Sequence, residues 1–176
     1  MSLPAVAGSR HSSTKSSWFG ITRLVFRMIV YNMPKVKVST LKQSPYGFAR
    51  WGERIDPTRQ GVQKAIEEGR FSKKIMDQHY KNDVAGEIQK KTQDPAERDR
   101  LMHEYHNERV AELVRTKDIW LDKPEAWPIK VNQFNQVVEG NHRFRAIRYL
   151  GLAEVEVTVV QEDNPRPGYM LPEIWE

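Results

Sequence analysis

The sequence predicts a single α+β (α/β) domain: a small mixed sheet interrupted by a long helical insertion. Three observations predict it. Strand-like runs are few and separated by helical stretches, the mark of a mixed fold class. Two cap-and-proline helix starts, Asp56-Pro57 and Asp94-Pro95, open a helical region spanning about residues 56–117. The last third then reads strand, turn, strand, helix, strand. At 176 residues there is enough chain for one real hydrophobic core.

Residues 1–32 form a basic leader. Its first part, Met1 to Ser17, mixes Ser, Gly, Pro and basic residues without periodicity and reads as disordered. Residues 18–31 are apolar except for Thr22, Arg23 and Arg27. On a helix Arg23 and Arg27 would share one face, while the β-branched content equally permits a strand. The leader also has the Ser-rich, acid-free character of an organellar transit peptide, and Met28 and Met33 lie near its end.

The body is expected over residues 33–161. Lys35 to Leu41 alternates charge with Val and reads as a half-buried strand. Ser44-Pro45-Tyr46-Gly47 is turn chemistry, and Phe48 to Trp51 a loop with aromatic anchors. Asp56 as N-cap with Pro57 at N1 launches a helix that stops at Gly69. Ser72 opens a shorter helical stretch, 73–79. Asp94, Pro95 and Glu97 supply a cap, an N1 proline and a capping-box carboxylate for a long helix to about Arg115. Leu101, Tyr105, Val110, Leu113 and Val114 form its apolar face. Residues 120–128 read as loop, and 129–131 with 136–139 as a hairpin. Asn141 to Leu150 is a helix stopped by Gly151, Val155 to Val160 a last strand, and 162–176 a Pro- and Gly-rich tail. No internal repeat is visible.

Composition excludes several chemistries. There is no cysteine, so disulfides, thiolate metal sites and a cysteine nucleophile are absent. No span approaches the ~20 apolar residues of a membrane helix, so no membrane insertion is expected. Charge is uneven: residues 1–52 hold eight Lys or Arg and no acid, leaving 20 of the 28 basic residues against all 23 acidic ones. A basic front on a mildly acidic body fits contact with DNA or another polyanion, or a solvated basic tail.

The chemistry concentrates at Val137-Val-Glu-Gly-Asn-His-Arg-Phe-Arg-Ala146. A strand, a glycine turn and a helix N-terminus make an anion site, because the first helical N–H groups lack internal partners and sit at the positive end of the dipole. Gly140, Asn141 and Arg143 would hold a phosphate, the Arg through its bidentate fork. Arg145 would reach a second phosphate, brace the sheet or form a structural ion pair. Glu139 would bind Mg²⁺, orient water or cap the helix. His142 is a candidate general acid or base, or a neutral hydrogen-bonding residue. His103 and His106, three apart on the long helix, meet metal-ligand spacing but belong to no HExxH pattern.

Pro128-Ile-Lys-Val, the Val137-Val-Glu-Gly strand, Asn141-His-Arg-Phe-Arg-Ala, Leu150-Gly-Leu and Val155-Glu-Val-Thr-Val together resemble the ParB/sulfiredoxin superfamily. The resemblance runs from about residue 33 to 160 and is specific over 128–160. It implies a ParB/sulfiredoxin-like fold, within which Glu139, His142 and Arg143 are the candidate catalytic residues. It also implies a place near the nucleotide for Ser44 and Tyr46, whose Ser-Pro-Tyr stands where that family has its Asn-Pro-Tyr turn, and for Arg50 shortly after it. Sulfiredoxin itself needs a cysteine where this chain has Asn141. Only 16 residues follow Val160, too few for the helix-turn-helix domain of chromosome-segregation ParB proteins. Length, leader and helical insertion resemble the plasmid fertility-inhibition factors of the oncogenic-suppression type. That implies an ATPase with DNase activity, ATP or CTP as ligand, Mg²⁺ or another divalent cation, and a bacterial cytoplasmic location. The partners implied are nucleotide, DNA and a type IV secretion coupling protein. The alternative is a non-catalytic phosphate-binding module that blocks such a partner.

Overall fold

Helix α3 (Pro95–Arg115) is the spine against which the other three longer helices pack. The computed structural model describes residues 33–43, 48–50, 53–74 and 84–163, all within one unit spanning 31–176. In chain order these are β1 (Lys35–Lys37), β2 (Lys42–Gln43), β3 (Ala49–Arg50), β4 (Glu53–Arg54), α1 (Arg59–Glu67), α2 (Val84–Lys91), α3, α4 (Lys117–Trp120), β5 (Lys130–Asn132), β6 (Gln136–Glu139), α5 (Asn141–Tyr149), β7 (Glu154–Glu156) and β8 (Thr158–Val160). The fold is α+β. Expectations for the leader, for residues 75–79 and for the 164–176 part of the tail lie outside the described residues.

The main sheet has four strands in the order β2-β6-β5-β8. The β5–β6 pair is the expected antiparallel hairpin, and β2 and β8 flank it in parallel. Its turn is built by Asn132, whose Oδ1 accepts from the N–H groups of Phe134 (3.1 Å) and Gln136 (2.9 Å). Val131, Val137, Phe144, Ala146, Ile147 and Val110 meet in the core between sheet, α5 and α3. A smaller cluster joins α2 to α3 through Val84, Ile88, Met102 and Tyr105. No helix among the described residues is long and apolar enough to cross a membrane.

Several boundaries differ from the sequence expectation, each for a physical reason. The α1 N-cap is Thr58, not Asp56: its hydroxyl accepts from Gly61 N–H at 3.0 Å, while Asp56 is drawn off by two arginines. Asp94 and Pro95 do start α3, with Asp94 Oδ1 accepting from Ala96 N–H at 3.2 Å. The capping box does not close, because Glu97 turns to Arg100 and the Asp94 N–H donates to Thr92 Oγ1. Lys35 to Leu41 is strand only to Lys37. Thr40 Oγ1 donates back to the Lys37 carbonyl at 2.8 Å, and a single 3₁₀ turn follows. Ser72 opens no helix by residue 74, for its N–H donates to Glu108 O on α3 (3.2 Å). Residues 117–120 add the short helix α4 before the predicted loop. The last strand is split at the fully buried Val157, where the chain leaves β1 and joins β5.

Candidate phosphate-binding site

The site begins with β6. Val137 is fully buried, so the strand end is fixed, and Gly140 then turns the chain with φ +86° into α5. That conformation costs an L side chain energy, and a Cβ here would also meet the Pro128 carbonyl oxygen at 3.2 Å. Gly140 is the N-cap of α5, with no side chain to satisfy the helix start. Asn141, His142 and Arg143 are the first three helical residues, so their N–H groups have no partner within the helix.

Arg143 folds back over this turn. Its Nη2 donates to the Pro128 carbonyl at 2.7 Å and would lie 3.2 Å from a Cβ on Gly140. Its buried Nε has no hydrogen-bond partner. Burial pushes the guanidinium below its ordinary pKa; the charge of Glu139 opposes this and that of Arg109 adds to it. Asn141 accepts a hydrogen bond from Gln43 Nε2, which reaches across from the end of β2. Gln43 is fully buried, and its Oε1 has no partner.

His142 turns its Nε2 to His106 Nδ1 on α3, at 2.8 Å. Phe48 packs edge-on against both imidazoles, with centroid distances of 4.9 and 5.1 Å. Glu139 faces solvent and pairs with Lys130 at 2.6 Å, directly across the hairpin. Arg145 is turned inward at 2 % exposure and bonds Asp56 Oδ1 at 2.6 Å, the ion-pair arrangement among its expected alternatives. Burial pushes its guanidinium down to about 10, against the attraction of Asp56, so it remains a cation at neutral pH. Its charge is committed to the interior rather than to the turn.

The turn therefore brings together Gly140, Asn141, His142 and Arg143, with Glu139 at its rim and Arg145 behind it. Ser44 and Tyr46 lie outside the described residues, as does the Arg50 side chain. His103 and His106 do not act together: His103 meets Asn107, and His106 meets His142. Among the described residues no group of three or more His, Asp or Glu gathers that would hold a metal ion. Sequence reasoning missed Gln43, Phe48 and the role of His106. The last had a signal, since Met102, His106 and Val110 recur at spacing four along one buried face of α3. A separate cleft of about 380 Å³, lined by Trp120, Trp127, Leu152 and Glu154 among others, contains none of these residues.

Comparison of the chain with family models, with curated proteins and with solved structures found no match.

Proposed function

We propose that the protein is a phosphate-handling enzyme of ParB/sulfiredoxin type. It binds a nucleoside triphosphate, ATP or CTP, at the Gly140–Arg143 turn and hydrolyses it, with DNA phosphodiesters as a second substrate class. The observation that carries this is the half-buried Arg143 guanidinium beside the first turn of α5, its Nε without a hydrogen-bond partner. A desolvated cation next to a helix N-terminus gains most from an anion, and phosphate matches the guanidinium fork. The amides of residues 141–143 and Arg143 hold the phosphate and offset its developing charge. His142 exchanges the proton, and Glu139, released from Lys130, orients the attacking water.

Among the described residues Glu139 is joined by no metal-binding group and is tied to a lysine, which does not by itself build a metal centre. Mg²⁺ would come with the nucleotide, whose phosphates and water supply most of its ligands. The basic leader and the helical insertion support a role in blocking conjugative DNA export from the bacterial cytoplasm, against a type IV secretion coupling protein.

One observation favours a second reading. Among the described residues the carboxylate at the turn's rim, Glu139, is half-exposed and ion-paired with Lys130, so it is not aimed at a bound phosphate. The turn would then bind nucleotide or DNA phosphate without hydrolysis, and the protein would act by blocking its partner. Arg143→Ala and Arg143→Lys separate the two. Hydrolysis of ATP or CTP should fall about 100-fold or more in both, the lysine lacking the fork. Circular dichroism should confirm the fold, since the Pro128 contact is lost. Wild-type protein that binds but never hydrolyses, and still inhibits conjugation, supports the module. Hydrolysis unchanged in Arg143→Ala removes the turn from consideration.

A further inference from the structure

The cleft of about 380 Å³ is built by the connection that follows α3 and by the β1–β7 pair. Trp120 anchors one side: it is buried, and its indole N–H donates to the Leu113 carbonyl at 2.8 Å. The chain then turns tightly. The Lys123 N–H donates to Trp120 O at 3.2 Å, and the N–H groups of Ala126 and Trp127 both donate to Lys123 O, at 3.1 and 3.0 Å. That backbone fixes Trp127 at the cleft with its ring 40 % exposed. Ile129 and Ile147, both buried, supply apolar lining. An indole held in this way offers a rigid apolar face and a π-cloud to whatever enters.

The lining is acidic, although the chain as a whole is basic. Three carboxylates, Asp122, Glu154 and Glu156, stand against one cation, Lys35. Lys35 is opposite Glu156 in the β1–β7 register, yet their charged atoms approach only to 3.9 Å. Lys37 is opposite Glu154 and makes no ion pair with it. Among the described residues neither Asp122 nor Glu154 has a cation within ion-pair distance. The cleft therefore holds a formal excess of two negative charges beside an aromatic face. Anions are repelled from it, and a neutral apolar guest leaves the carboxylates uncompensated. A protonated amine satisfies both features, its charge meeting the carboxylates and its methylenes or ammonium the indole. The volume is that of a small-molecule site at the lower end of the usual range.

We propose that this cleft binds a small aliphatic amine of the polyamine class. Two ammonium groups balance Asp122 and Glu154, and the methylene chain between them lies on Trp127. Lys35 already stands by Glu156, so two charges suffice to neutralise the lining. None of the turn's residues lines the cleft, so amine binding does not depend on phosphate binding. Asp122 and Glu154 are exposed, so the affinity should fall as salt rises.

The test is calorimetric titration of the full chain with spermidine at low salt, with NMR contacts between spermidine methylenes and the Trp127 ring. Binding should saturate at one equivalent, while a diol and a dicarboxylate of similar length should not bind. Asp122→Asn with Glu154→Gln should weaken spermidine about fivefold or more, and Trp127→Ala about as much. Trp127→Phe should keep most of the affinity, and Asp163→Asn, which removes an exposed carboxylate outside the cleft, should change nothing. Absence of saturable binding below about 1 mM spermidine overturns the proposal. So does affinity that survives the Asp122→Asn, Glu154→Gln pair, or that falls equally in Asp163→Asn, which would mark diffuse attraction to surface acids. A lysine-rich peptide that displaces spermidine and binds far more tightly would assign the cleft to a protein partner instead. Should Trp127→Ala not fold, the carboxylate pair, exposed on the surface, decides alone.

Discussion

Gly140 shows how much a single position can carry. Its φ of +86° and the 3.2 Å approach of the Pro128 carbonyl leave no comfortable place for a side chain. Gly140→Ala should lower stability by about 1–3 kcal/mol, read as a fall in the urea midpoint with unchanged slope. It should also erase any thermal shift produced by ATP, because the added methyl displaces Arg143 Nη2 from the turn. A variant of normal stability that still responds to ATP would contradict this account. Arg145 makes the complementary point. Two residues from Arg143 in sequence, it lies on another face of the helix, so its charge is spent on Asp56. That an arginine stands in the first turn of α5 was legible from residue type and position. Which of the two arginines faces the turn was decided by the direction of α5.

At the scale of elements, the packing of α1 on α3 rests on Gly61, which looks like a flaw in a helix. A glycine inside a helix ordinarily costs roughly 0.5–1 kcal/mol relative to alanine. Here a Cβ would fall 2.2 Å from Asn107 Nδ2, and the Asn107 amide is held by the Thr58 N–H at 2.9 Å. Gly61→Ala should therefore destabilise the protein, the reverse of the propensity rule. Adding Asn107→Ala should recover part of the loss, giving a coupling of opposite sign in a double-mutant cycle by denaturant unfolding. Helix starts and stops were largely legible: Asp94-Pro95, Gly69 and Gly151 stand where capping chemistry puts them. The α1 start was misread because Thr58 and Asp56 are both good caps, and only the arrival of Arg54 and Arg145 decides between them.

At the scale of the whole molecule, charge is the property read most directly. The chain carries a formal +5, yet residues 1–52 hold eight of its cations and none of its acids. If that leader provides nonspecific DNA affinity, deleting residues 1–27, which contain Arg10, Lys15, Arg23 and Arg27, should weaken DNA binding. It should also reduce the slope of log affinity against log salt by at most about 3–4. Fluorescence anisotropy with an unrelated duplex measures both, and an unchanged slope would move the DNA contact to the body.

The sequence by itself determined the class of fold, the hairpin, the strand–glycine–helix turn and the residues that crowd it. These follow from local rules: periodicity, capping, and the few residues that tolerate a left-handed turn. The tertiary structure alone decided what those residues meet. It paired His142 with His106, set Gln43 on Asn141, turned Arg145 inward to Asp56 and tied Glu139 to Lys130. All but the Glu139–Lys130 pair, which spans the hairpin, join elements whose separation in the chain carries no sequence signal. Their energies depend on burial and direction, which exist only once α3, α5 and the sheet have packed together.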